Sequence, residues 1–215
     1  MRHPLVCFDL DGTLVDDTVF IWKSLHEHFR TDAVRRKRAH DDYFSGEITY
    51  RQWFECDLEL LDEAGATRRG IEAVLDGLRA MPHSHATLET LKERGHKIAV
   101  ISGSLDMVIG RIFPDVEFDH VLINRIEFGP DGRISGGTPT PYDLEGKAEG
   151  LKELCRLEGI STSQSVFVGD NSNDLWIARE AGLSIAFNCK SDELREVCDV
   201  ELRGKDLCGL LELLG

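Results

Sequence analysis

The sequence predicts an α/β protein, a doubly wound and mainly parallel sheet with a helical segment inserted after its first strand. Three observations carry this. Short apolar runs, Leu5-Val6-Cys7-Phe8, Lys97-Ile98-Ala99-Val100-Ile101 and Ser165-Val166-Phe167-Val168, each lead into a segment that combines a glycine with carboxylates or a hydroxyl, and such continuous apolar runs suit buried parallel strands. From Pro82 onward such runs alternate with segments of helical period, which implies parallel strands joined by crossover helices on both faces. Residues 16 to 81, by contrast, contain no convincing strand, and their apolar residues recur only at helical spacing.

Element by element, Leu5–Phe8 forms the first strand and runs into Asp9-Leu10-Asp11-Gly12-Thr13. Strand residues alternate between faces, so Asp9 and Asp11 share a face only if the strand persists, and a turn at Gly12 lets them diverge. The inserted segment shows Val19-Phe20…Trp22…Leu25…Phe29, Trp53-Phe54…Leu58…Leu61 and Ile71…Val74-Leu75…Leu78, three helices with Trp22 and Trp53 read as core rather than ligand cage. After Pro82 the order is helix to Arg94, strand to Ile101, helix to Phe113, and a strand near Val121. A hairpin then turns at Pro130-Asp131-Gly132, followed by a helix through Leu157 and a strand to Val168. A helix through Ala181, a strand Ser184–Phe187, a helix Asp192–Val197, a strand Val200-Glu201-Leu202 and a helix Leu207–Leu214 complete the chain. Exposed leucines on that last helix would support a homodimer, and leucines packed on the sheet would leave a monomer.

In an open α/β sheet, ligands bind outside the carboxyl ends of the strands. There the sequence places Asp9 and Asp11, then Ser102 and Gly103, then Gly169-Asp170 running into Asn171-Ser172-Asn173-Asp174, with Lys147 near the start of a helix. Each alone has a plain structural reading: Asp-Gly is a turn signal, Asp170 and Asp174 are acids favoured at a helix start, and a lone lysine is most often solvated.

The ordered set resembles the haloacid dehalogenase superfamily, in its phosphoserine-phosphatase-like branch. An Asp-x-Asp motif, a Ser or Thr ending the second strand, a Lys, and Gly-Asp-x-x-x-Asp occur in the family's order, and the resemblance covers essentially the whole chain. It implies a Rossmann-like core over residues 1–15 and 82–215, and a helical cap over 16–81 that sets specificity. It also implies a phosphatase that hydrolyses a small phosphate monoester through an aspartyl-phosphate. Asp9 would be the nucleophile and Asp11 the acid and base that serves the leaving oxygen and then water. Ser102, Gly103, Asn173 and Lys147 would hold the phosphoryl group. Asp9, the backbone carbonyl of Asp11, Asp170 and Asp174 would hold Mg²⁺, which takes oxygen ligands.

Substrate recognition is where the resemblance thins. Phosphoserine phosphatases hold the amino group with a Glu seven residues after the second Asp, and that position is Thr18, with Asp16 and Asp17 as stand-ins. The cap Arg that holds the carboxylate aligns with Glu55, and Arg51 lies one helical turn away. Thr18, Arg51 and Glu55 are therefore the candidate substrate-binding residues. A true phosphoserine phosphatase stays open, as does a phosphotransferase passing the group to an alcohol such as homoserine. A non-catalytic phosphometabolite sensor would lack the nucleophile or the acid, and both are present.

Net charge is −14 over 215 residues, which argues against nucleic acid or an anionic membrane as partner. No stretch approaches the ~20 apolar residues of a spanning helix, and the run before Asp9 is too brief for a signal peptide, so a cytoplasmic location is expected. Six scattered cysteines without a Cys-x-x-Cys pair read as free structural thiols. The basic run Arg35-Arg36-Lys37-Arg38 either faces the cleft and attracts a second anionic group or faces solvent and balances the acids around it.

Overall fold

The computed structural model describes residues 2–16, 18 and 20–215; Asp17 and Val19 of the readings above lie outside them. The strands are β1 (Leu5–Phe8), β2 (Val15–Asp16), β3 (Arg79–Ala80), β4 (Lys97–Leu105), β5 (His120–Phe128), β6 (Ile134–Thr138), β7 (Ser165–Gly169), β8 (Leu183–Phe187) and β9 (Val200–Leu202). The helices are α1 (Ile21–Phe29), α2 (Ala33–Phe44), α3 (Tyr50–Glu63), α4 (Arg68–Leu75), α5 (Ser84–Glu93), α6 (Asp106–Ile112), α7 (Gly146–Glu158), α8 (Leu175–Glu180), α9 (Asp192–Val197) and α10 (Leu210–Leu214).

Seven strands make one sheet in the order β6-β5-β4-β1-β7-β8-β9. Every pairing in it is parallel except β5 with β6, the expected hairpin. The continuous apolar runs are explained by burial on both faces. Val6, Phe8, Ile98, Val100, Val166 and Val168 join one apolar cluster, while Leu5, Cys7, Ala99, Ile101 and Phe167 join a second on the opposite side. β1 sits at the centre between β4 and β7, so its carboxyl end opens where the ends of both neighbours meet it.

Helices α1 to α4 lie between β2 and β3, and the starts of α2, α3 and α4 each have a side-chain cap. Asp32 accepts from the N–H groups of Val34 and Arg35 at 2.9 and 3.0 Å. Thr49 and Gln52 form a reciprocal capping box at α3, and Thr67 accepts from the Gly70 N–H at α4. Such caps satisfy donors a helix start leaves open. Ile21, Leu25, Phe54, Leu58, Leu61, Ile71 and Leu75 turn inward and join the same cluster that covers one face of the sheet.

Three sequence expectations need correction. Residues 16–81 were expected to lack strands, but Val15↔Ala80 and Asp16↔Arg79 pair antiparallel where the chain leaves and re-enters the core; two-residue strands are too short to show a period of two. β4 continues beyond Ile101 to Leu105 through a register shift against β5, so Ser102-Gly103-Ser104 is irregular strand. α2 carries no apolar stripe and buries only Ala39, which is why it gave no periodic signal. All six cysteines are free, as expected. No helix among the described residues is long and apolar enough to cross a membrane.

Candidate active site

A cleft of about 920 Å³ opens over the carboxyl ends of β1, β4 and β7, floored by Asp9, Asp11, Ser102, Gly103 and Asn173. Asp9 follows the last residue of β1, and its N–H donates to the Val168 carbonyl at 3.0 Å, which ties the end of β1 to that of β7. Lys147, at the first turn of α7, is fully buried. Its Nζ lies 2.9 Å from Asp9 Oδ1 and donates to Asp174 Oδ1 at 2.6 Å. The contact with Asp9 is off hydrogen-bond alignment, so Asp9 Oδ1 is a buried oxygen neutralised by charge yet without a hydrogen-bond partner. Burial pulls the Lys147 pKa down, but the charges of Asp174, Asp9 and Asp143 outweigh it and hold the ammonium protonated.

Asp170 follows the last residue of β7, and its N–H donates to Asp174 Oδ2 at 3.0 Å, folding Asp174 back toward the strand. Carboxylate oxygens of Asp9, Asp170 and Asp174, all buried, lie within 4.8 Å of one another. Burial, with the charge of Asp9 adding to it, pushes Asp170 up to about 6, and burial pushes Asp174 up to about 7 against the pull of Lys147. An all-oxygen donor set with surplus negative charge and an unbonded Asp9 oxygen fits a hard divalent cation such as Mg²⁺. The Asp11 carboxylate stands outside that cluster, leaving only its backbone carbonyl for such a role.

Asp11 instead accepts from the Ile21 N–H at 2.6 Å and the Ser104 hydroxyl at 2.8 Å. The turn that follows it has Gly12 at φ of +79°. A Cβ at Gly12 would sit 2.4 Å from Asp170 Oδ2, so this glycine permits both the left-handed turn and the close approach of the two strand ends. Burial and the Asp9 charge raise the Asp11 pKa to about 7, although the two hydrogen bonds oppose the shift. A carboxyl poised there can both give and take a proton near neutrality.

Ser102 Oγ accepts from the Ser104 N–H at 3.2 Å. The Gly103 carbonyl accepts from Trp22 Nε1 at 2.8 Å and Asn124 Nδ2 at 2.7 Å. Asn173 lines the cleft with a buried Oδ1 that has no hydrogen-bond partner.

The substrate candidates of the inserted segment fare differently. Arg51 and Glu55 are exposed on α3, approach each other at 3.9 Å and do not line the cleft, because the inward face of α3 belongs to Phe54, Leu58 and Leu61. Thr18 is buried with its hydroxyl 3.5 Å from that of Ser24, also away from the lining. Asp16 accepts from Lys205 at 2.7 Å. Within the basic run only Arg36 lines the cleft, 3.6 Å from the buried Asp57, while Arg35, Lys37 and Arg38 pair with acids at the surface. Trp22 and Trp53 pack among aromatic neighbours, as the core reading expects, and line the cleft as well.

Several contributors escaped the sequence reading. Lys190, just beyond β8, forms an ion pair with Asp170. The signal available was its place after another strand end on the same edge. Asp143 accepts from the Tyr50 hydroxyl at 2.9 Å, and that hydroxyl accepts from Asn124 at 2.9 Å, which links α3 to the Gly103 segment.

The haloacid dehalogenase-like hydrolase family matches residues 3–182. The chain belongs to that family. It is 28% identical to a phosphoserine phosphatase of Methanocaldococcus jannaschii over 99% of this chain and 98% of the relative. It is also 32% identical to phosphoserine phosphatase SerB2 of Mycobacterium tuberculosis over 98% of this chain, where it spans only 50% of that relative's length. A structure of a phosphoserine phosphatase captured as a phospho-aspartyl intermediate analogue superposes with a TM-score of 0.78, 26% identity and 99% coverage of both chains. The protein is thus a phosphoserine-phosphatase-like phosphoric monoester hydrolase, and the resemblance drawn from its motifs holds.

Proposed function

We propose that this hydrolase removes phosphate from a small phosphorylated metabolite in a Mg²⁺-dependent reaction through an aspartyl-phosphate on Asp9. The observation that carries the reading is the Asp9 carboxylate at the cleft floor, with the Lys147 ammonium 2.9 Å from it and Asp11 held apart on its own hydrogen bonds. An Asp9 oxygen bonds to phosphorus as the ester oxygen leaves with the proton of Asp11. Water then attacks phosphorus, gives its proton to Asp11, and frees Asp9 and inorganic phosphate. Lys147, Ser102, the Gly103 N–H and Asn173 hold the phosphoryl oxygens. Mg²⁺, held by Asp9, Asp170, Asp174 and the Asp11 carbonyl, would neutralise charge on the nucleophile and the transferring group.

In this reading residues 1–15 and 82–215 are the catalytic core, and 16–81 form the cap that roofs the cleft. Phosphoserine, the substrate in the relatives' names, is the first ester to assay. Inorganic phosphate release with Mg²⁺ and with EDTA tests the proposal. Asp9→Asn is expected to abolish release and the acid-stable labelling of the protein by radiolabelled ester, while leaving the far-UV spectrum unchanged. Near-wild-type release from Asp9→Asn would remove Asp9 as nucleophile. Running the assay with homoserine and other alcohols separates hydrolysis from phosphotransfer by product.

A further inference from the structure

Soluble domains bury most large aromatic side chains, so an exposed cluster of them marks a contact surface. Among the described residues, the exposed large hydrophobic side chains include three aromatics: Phe20 at 43%, Phe44 at 60% and Trp176 at 52% exposure. All three line the catalytic cleft. They come from separate places in the chain, Phe20 just before α1, Phe44 at the end of α2, and Trp176 in the first turn of α8. Folding of one element therefore does not account for their convergence.

Two of the rings are also held in place. The Arg179 guanidinium lies 5.5 Å from the Trp176 ring centroid, and Phe44 meets the Trp53 ring edge-on with centroids 6.0 Å apart. Trp53 is in turn stacked on Tyr43 at 5.0 Å. Two cations that line the cleft have counter-ions: Arg36 lies 3.6 Å from buried Asp57, and Lys23 3.7 Å from Glu27. Recognition of a free amino acid rests on charge-paired contacts, whereas this wall is aromatic. Its cleft of about 920 Å³ lies within the size range of sites that enclose drug-sized ligands.

We infer that the alcohol portion of the substrate is a planar ring, which stacks against the Trp176, Phe44 and Phe20 wall while its phosphate meets Asp9. The inference rests on the phosphatase reading above for the position of the phosphate.

The test compares benzyl phosphate with phosphoserine and glycerol phosphate, all alkyl esters without an activated leaving group, by kcat/KM. Calorimetric binding to Asp9→Asn runs in parallel. Benzyl phosphate is expected to exceed both others by about tenfold or more in kcat/KM and in affinity. Trp176→Ala and Phe44→Ala should bring the benzyl-to-phosphoserine ratio down toward one, and Trp176→Phe should keep it. Hydrolysis of phosphoserine equal to or better than that of benzyl phosphate, with a ratio unmoved by Trp176→Ala, would overturn the inference while leaving the phosphatase reading in place. If no ester is hydrolysed, the catalytic reading fails and the binding ratio alone decides: preferential binding of benzyl phosphate supports the aromatic wall, and equal binding refutes it.

Discussion

Replacing Lys147 by Met keeps the length and apolar stem of the side chain and removes only the ammonium. That ammonium is fully buried between Asp9 Oδ1 at 2.9 Å and Asp174 Oδ1 at 2.6 Å, on carboxylates that are themselves 4% and 0% exposed. Taking one partner out of a buried pair costs about 3–5 kcal/mol, because it leaves an uncompensated buried charge. At pH 8 in EDTA, urea denaturation should therefore place Lys147→Met about 3–5 kcal/mol below wild type, or on the order of 10 °C in Tm for a chain of this size. Adding Asp174→Asn removes one stranded charge, so the double variant should be more stable than Lys147→Met alone, a coupling of opposite sign to simple addition. Lowering the pH toward 5.5 should shrink the deficit in the same way as Asp174 takes a proton. A Lys147→Met protein within about 1 kcal/mol of wild type, or an Asp174→Asn change that adds to its loss, would refute the view that this lysine neutralises the carboxylate cluster.

The remaining predictions concern the same residues. Asp11, Asp170 and Asp174 have native pKa values raised to about 7, 6 and 7, above the ~4 of an unfolded carboxyl. The native state then binds more protons between those limits, so metal-free stability should fall as pH rises from about 4 through 7, by on the order of a few kcal/mol. Melting curves in EDTA across that range check the slope, and millimolar Mg²⁺ should flatten it. Lys190→Met removes a positive charge from Asp170 and is expected to tighten Mg²⁺ binding several-fold by calorimetry, so weaker binding would count against competition at that carboxylate. Gly103→Ala would bring a Cβ to 2.1 Å from Asp143 Oδ2. It should displace Asp143 from the Tyr50 hydroxyl and cut turnover at least tenfold, with the Tyr50 contact read from a crystal structure of the variant.

The core and the floor of the site were legible because strand ends announce themselves locally. Asp9, Ser102 and Asp170 each follow an apolar run buried on both faces, and the sheet brings those ends together whatever the intervening chain does. Lys147 and Asp174 were legible only as members of the ordered set, since neither is distinctive alone. Side-chain direction within the insertion is decided by packing that no short window contains. Arg51 and Glu55 lie on the outward side of α3 because Phe54, Leu58 and Leu61 claim the inward side. Lys190 reaches Asp170 from a loop whose path depends on the pairing of β7 with β8. Exposure of Phe20, Phe44 and Trp176 is a property of the assembled surface, and their letters alone read as core.

One apolar cluster runs without a break from Val6 and Phe8 in the sheet to Leu58 and Ile71 in the inserted helices. Among the described residues, melting of the insertion would expose apolar surface of the sheet as well. Calorimetry should therefore record a single heat-absorption peak, with van't Hoff and calorimetric enthalpies in agreement.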